Sequence, residues 1–198
     1  TTDGSIPTIE NGIEYRHGQE GIPITNSVVI RARSFRQGYQ PSETITKSYI
    51  MKTYYTLPVV SLVTDPKELW DGKRGMLAAG DGIGLSQYTK IPFRRPTPVY
   101  RLHGKEFRPG FAEMFDSKDG STFFSQGAEF AIIGQYSLDM PQKSFKVKAK
   151  ASLGSRYFNA KLFEDRPYEQ YKSFVLRVSG NDAVWTRIVD GVQSRLVS

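Results

Sequence analysis

Apolar and polar residues alternate with a period of two over several short stretches of this chain, the pattern of strands buried on one side. From Ser27 to Phe35 it sets Val28, Ile30 and Ala32 on one face and Val29, Arg31 and Arg33 on the other. The turn residues Gln37-Gly38-Tyr39-Gln40-Pro41 follow, then a strand from Thr44 to Ile50 rich in β-branched side chains. Leu57 to Val63 is a strongly apolar strand. Beyond it, Asp65 as N-cap, Pro66 at the first helical position and Glu68 reaching back predict a capping box and a short helix. Residues 71–98 are rich in Gly and Pro and read as a long loop, with one candidate strand at Arg74 to Ala79. Strands are expected at Gly110 to Phe115 and Glu129 to Ile133, with a turn at Asp116 to Gly120. The cleanest alternation is Lys143 to Lys150: Phe145, Val147 and Ala149 face one way, and Ser144, Lys146, Lys148 and Lys150 the other. Tyr171 to Ser179 repeats it, burying Phe174, Leu176 and Val178. Asn181 or Asp182 then caps a helix whose apolar stripe is Val184, Ile188, Val192 and Leu196, widened by Trp185 and Val189. The elements define a mostly β chain of the α+β class, divided near residue 53.

Composition narrows the chemistry. With 198 residues, of which 38% are hydrophobic and 13% aromatic, the chain is neither disordered nor fibrous. A chain of this length buries about 70% of its unfolded surface. It has no cysteine, which excludes disulfides, thiolate metal sites and a cysteine nucleophile. Its two histidines, His17 and His103, are far apart, which argues against a histidine metal centre or a Ser/His/Asp constellation. No apolar run approaches the ~20 residues of a membrane-spanning helix, and no signal peptide is visible. The net charge of +7 is spread among acids and reads first as a solvated basic surface, then as a surface for anionic ligands. No nucleic-acid module accompanies it.

The stretches TTDGSIPT (1–8), PIT (23–25) and VVIRARSFRQGYQPSETITKSYI (28–50) resemble the C-terminal half of the immunoglobulin-like module of chitobiases and hexosaminidases. The resemblance covers about the first quarter of the chain. It implies a partial β-sandwich over residues 1–53 that serves as a spacer beside extracellular domains. The opening turn residues Thr1-Thr2-Asp3-Gly4-Ser5, with no strand before them, add the expectation that the chain starts inside a domain. The terminal helix, which has no C-cap signal, adds the expectation that it stops inside one.

A second resemblance covers residues 57–198. LPVVSLVTDPKELWD (57–71), RPGFAEMFDSKDG (108–120), FSQGAEFAIIG (124–134), PQKSFKVKAK (141–150), YFNAKLFED (157–165), FVLRVSGND (174–182) and TRIVDGVQSRLV (186–197) together resemble the first part of the CotH kinase family, known from spore-coat and surface proteins. This implies that residues 54–198 are a kinase-N-lobe-like antiparallel sheet with a C-terminal helix. It also implies ATP and Mg²⁺ as cofactors and transfer of phosphate to protein side chains. In kinase folds a strand lysine holds the nucleotide phosphates and an acid on the next helix orients it. The counterparts are Lys146 or Lys148 on the strand and Asp190 on the terminal helix, as nucleotide-binding residues. A solvated lysine face, which also guards a strand edge, is the plainer account of the same residues. The family often has His-Gly-Gly and a Ser-Arg pair where this chain has Ile133-Gly134-Gln135-Tyr136-Ser137-Leu138. Its Mg²⁺-binding and base acids lie farther along than residue 198, so no catalytic residue is assigned.

Other motifs read structurally. Gly80-Asp81-Gly82-Ile83-Gly84 lacks the spacing of a phosphate loop and is expected to be a flexible connection. Asp116-Ser117-Lys118-Asp119-Gly120 puts a lysine at a calcium-ligand position and reads as a hairpin turn. Arg94-Arg95 reads as an exposed linker, and Tyr88, Phe93 and Tyr100 as packing for a long loop. Two functions follow as expectations for a secreted, cell-surface or spore-coat location. One is a segment of an ATP-dependent protein kinase acting on a protein substrate. The other is a non-catalytic scaffold or adhesion module that binds glycan or protein partners.

Overall fold

The computed structural model describes residues 1–51, 55–79, 83–85, 92–96, 98–179, 186, 188, 189 and 192, with the backbone only at 83–85, 92–96 and Tyr136. Its centre is a five-stranded antiparallel sheet in the order β11-β8-β7-β6-β3. The strands are β3 (Val59–Val63), β6 (Arg108–Phe115), β7 (Thr122–Ile133), β8 (Ser144–Ala149) and β11 (Ser173–Leu176). Two more strands near the start, β1 (Val28–Ala32) and β2 (Ile45–Tyr49), pair as a hairpin. Shorter ladders join β4 (Ile83–Leu85) to β5 (Pro92–Pro96) and β9 (Phe158–Asn159) to β10 (Gln170–Tyr171). Two one-turn helices, α1 (Pro66–Trp70) and α2 (Val99–His103), and a 3₁₀ turn at Tyr136–Asp139 also lie among the described residues. The chain is therefore mostly β with antiparallel sheets.

Register explains which face holds the core. Ala112 opposes Gln126, Phe130 opposes Val147 and Ile132 opposes Phe145. Alternation then places Ala112, Phe124, Ala128, Phe130, Ile132, Val147 and Ala149 on one face, and all are buried. The rings of Phe124, Phe158 and Phe174 meet there at centroid distances of 4.8, 5.1 and 5.8 Å. Gly110 is required at the centre, because a Cβ there would lie 2.4 Å from the Phe130 ring and from the Val63 carbonyl. The β8 alternation matches the sequence expectation, except that Ser144 is buried, where its Oγ accepts from the Val178 N–H at 3.0 Å.

Four expectations change. Arg31, placed on the outer face of β1 by its charge, is 9% exposed, while Ala32 is exposed. Its Nη1 donates to the Gly4 carbonyl at 2.7 Å, so the segment before the strand covers it. Glu68 does not close a capping box. Asp65 caps α1 by accepting from the Lys67 N–H at 2.9 Å, while the Glu68 carboxylate turns to Arg108, 3.1 Å from its Nε. Arg74 to Ala79 is not a strand. Gly75, Met76 and Leu77 donate their N–H groups back to the carbonyls of Asp71, Glu68 and Leu69, which wraps the segment onto α1 and buries Met76. Arg94 and Arg95, expected in a linker, lie in β5.

The Asp116–Gly120 turn is as expected: Gly120 takes φ +73° and the Asp116 carboxylate accepts from the Lys118 N–H at 2.7 Å. Residues 80–82 of the glycine-rich stretch and Tyr88 lie outside the described residues. So does most of the expected terminal helix, including Asp190; within it, the Val192 N–H donates to the Ile188 carbonyl at 2.9 Å.

Candidate functional site on the second face of the sheet

The face opposite the core carries Glu113, Glu129, Lys146 and Lys148. Counting by register, it runs from Ser61 and Val63 on β3 through Phe111 and Glu113 on β6 and Ser125, Gly127, Glu129 and Ala131 on β7. It ends at Lys146 and Lys148 on β8 and Ser173 and Val175 on β11. Two covers and one open region divide it.

The first cover is the β1–β2 hairpin. β2 buries Thr46 and Ser48 and leaves Ile45 and Tyr49 exposed, so its small hydroxyl face is the one turned inward. Beneath it lies Glu113, 0% exposed. The carboxylate accepts from Lys47 Nζ at 3.1 Å, from the Ser48 N–H at 2.7 Å and from Ser125 Oγ at 2.8 Å. Ser48 Oγ also bonds Ser61 Oγ at 2.8 Å. A buried carboxylate is tolerated only when its oxygens are paired in this way. Beside the hairpin, Thr1 and Arg31 exchange backbone hydrogen bonds at 2.8 and 3.0 Å. Burial pushes the Arg31 guanidinium below its ordinary value, against the opposing pull of Asp65 and Asp3.

The second cover is the turn after β8. Gly127 lies beneath it, and a Cβ there would sit 1.9 Å from the Leu153 carbonyl oxygen. The third region is open. Glu129, 8% exposed, pairs with Lys150 and lies opposite Lys148 in the register. Lys146 lies between Ala131 and Val175, and Lys148 Nζ stands 5.3 Å from the centre of the Phe107 ring. The two lysines expected at a site are thus brought together on one face, beside a carboxylate the sequence reading did not single out. Asp190 lies outside the described residues.

The core face has its own groove, of about 410 Å³, where the sheet meets α1 and the wrapped segment after it. Leu62, Met76, Phe130, Phe145 and Leu176 line it, with Lys143 at its edge. Lys143 Nζ donates to the Leu138 and Met140 carbonyls at 2.5 and 2.6 Å and stands 4.3 Å over the Tyr100 ring. Burial lowers the pKa of Lys143 despite the nearby Asp139 carboxylate. Arg101 holds Asp139 below the usual carboxylate value through charge-assisted hydrogen bonds, and Tyr100, whose hydroxyl donates to Asp139 at 3.0 Å, is raised by burial first. A wider depression of about 740 Å³ lies in residues 1–45, lined by Ile13, Tyr15, Ile22, Ile30, Phe35 and Ile45 among others. Neither hollow is lined by Lys146 or Lys148.

Among the described residues there is no group of three or more His, Cys, Asp or Glu side chains placed to hold a metal ion. No helix of the described residues is long and apolar enough to cross a membrane.

Residues 1–49 match the family model described as Fn3 associated. No curated protein and no solved structure matches the chain. The matched stretch ends at the last residue of β2, so it contains the hairpin and the segment that leads into it. Glu113 was legible in principle, as a lone acid within the apolar run Gly110-Phe111-Ala112-Glu113-Met114-Phe115. Arg108, which is 4% exposed and contacts Glu106, Glu68 and the Arg74 carbonyl, has no comparable signal, because two of these partners lie more than thirty residues earlier, in α1 and the segment wrapped onto it.

Proposed function

We propose that this chain is part of a CotH-like atypical protein kinase, preceded by an immunoglobulin-like module of the chitobiase C-terminal type. In this reading the antiparallel sheet supplies part of an ATP-binding lobe for phosphoryl transfer to protein, at a cell surface or in a spore coat. The observation that carries it is β8. This strand is hydrogen-bonded on both sides, by β7 and β11, and presents Lys146 and Lys148 together on one face. A strand fixed on both sides gives a lysine the placement that phosphate binding needs. The two ammonium groups suit phosphate oxygens. The acids for Mg²⁺ belong, by the resemblance, past residue 198.

The test is titration of ATP with Mg²⁺ into the parent protein extending beyond residue 198, beside its Lys146→Ala and Lys148→Ala variants. Affinity that falls at least tenfold with one lysine supports the reading. A well-folded parent that binds no nucleotide removes it. A second reading, a non-catalytic surface scaffold that binds glycan or protein, is favoured by one specific observation: the groove on the sheet is walled by apolar side chains and lies on the face away from Lys146 and Lys148. Loss of nucleotide binding together with retained glycan or protein binding would decide for it.

A further inference from the structure

We infer that the Fn3-associated segment is a docked part of the sheet rather than a module tethered beside it, and that two carboxylates of the sheet region form its receptor. The first is Glu113, which takes the Ser48 N–H and Lys47 Nζ. The second is Asp65, whose Oδ2 accepts from the Ile6 N–H at 3.3 Å while its Oδ1 caps α1. Both acids receive a main-chain N–H from residues 1–49, one from β2 and one from the segment that precedes β1. Two anchors on separate stretches fix orientation as well as contact.

Small residues make the approach possible. Gly4 takes φ +86°, and a Cβ there would come within 3.1 Å of the Thr64 carbonyl. Ser48 and Thr46 present hydroxyls where larger side chains would hold β2 off the sheet, and Ser48 Oγ reaches Ser61. The register of β2 matters, because a slip by one residue would turn Lys47 inward and Ser48 outward. The surface around Glu113, Ser61 and Ser125 therefore recognises a strand that offers a cation at one position and both an N–H and a hydroxyl at the next. Docking also occupies one half of the charged face, so a ligand of that face has only the half at Lys146 and Lys148.

Hydrogen exchange on the full chain tests this directly. Wild-type protein is expected to protect the Ser48 and Ile6 amides together. Glu113→Gln, whose NH₂ in either orientation meets a donor it cannot accept from (Lys47 and Ser125, or the Ser48 N–H), should loosen the hairpin and speed exchange at Ser48 by tenfold or more and at Ile6 in the same direction. The Phe130 and Val147 amides in the sheet should keep their rates, which shows that the variant is folded. Gly4→Ala loosens the other anchor and should speed exchange at both Ile6 and Ser48. Combining Lys47→Met with Glu113→Gln should recover part of the protection lost in Glu113→Gln, since a neutral amide does not need the cation. Unprotected Ser48 and Ile6 in the wild type would overturn the inference. So would a folded Glu113→Gln or Gly4→Ala protein in which each anchor responds alone.

Discussion

Glu113 and Glu129 stand on the same face of neighbouring strands, yet they live in different surroundings. Glu113 is sealed under the hairpin and holds three donors; Glu129 sits at the rim of the open region with Lys150, itself half-exposed, as its ion pair. The chemistry of the two side chains is the same, so the difference lies in what covers them. A cover made of main-chain N–H, hydroxyl and ammonium groups lets a carboxylate be fully buried. Where no such cover exists, the same residue type is buried only through the sheet and a half-exposed lysine, and its neighbour Lys148 faces solvent. One sheet face thus carries a structural half and an accessible half.

Removing the two acids in turn is the sharpest way to break that contrast. Glu113→Ala leaves the Ser48 N–H and Ser125 hydroxyl unpaired and opens a void, and should cost about 3–5 kcal/mol in denaturant unfolding. Gly127→Ala attacks the boundary between the halves, forcing Leu153 off β7, with an expected loss of about 1–3 kcal/mol and a lower midpoint temperature. Glu129→Gln should cost about 1–2 kcal/mol, less than Glu113→Ala, because its carboxylate is buried but its partner Lys150 is half-exposed and can turn to solvent. If Glu129→Gln proves as damaging as Glu113→Ala, the division into sealed and open halves is wrong. The smallest effect belongs to Asp139, away from both. Arg101 lowers its folded pKa, so its contribution is present above the ordinary aspartate value and is lost as pH falls below about 4. For so exposed a group the loss is only a few tenths of a kcal/mol. Comparing acid unfolding of Asp139→Asn with the parent chain measures it; a variant that falls off with pH as steeply as the parent would remove Asp139 from the account.

Legibility followed the kind of force at work. β8 could be read directly, because Phe145, Val147 and Ala149 face a core and the lysines between them do not. The Asp116–Gly120 hairpin was legible too, since its turn chemistry is local. β1 misled at Arg31 because hydropathy alone assigns a cation outward, and the Gly4 carbonyl that receives it comes from another stretch of chain. Arg74 to Ala79 contains a short apolar run, Met76-Leu77-Ala78-Ala79, but the α1 carbonyls of Glu68 and Leu69 take the N–H groups of Met76 and Leu77 and no strand forms. β2 hid its role in its burial: an inward face of Thr46 and Ser48 carries no hydrophobic signal. Of the expected site, Lys146 and Lys148 share a face as the alternation requires, whereas Glu113 and Asp65 acquire their roles from residues more than fifty positions away.

The strand order has a kinetic consequence. β6, β7 and β8 are sequence neighbours joined by short connections, so their pairing closes small loops and can occur early. β3 must wait for β6 across everything from α1 to α2, and residues 1–49 need β3 and β6 together before their receptor exists. The last stretch to become ordered during refolding therefore precedes, in chain order, the sheet that receives it. Pulse-labelling should show amides of β7 protected before those of β1 and β2, and the reverse order would mean that the hairpin forms without the sheet.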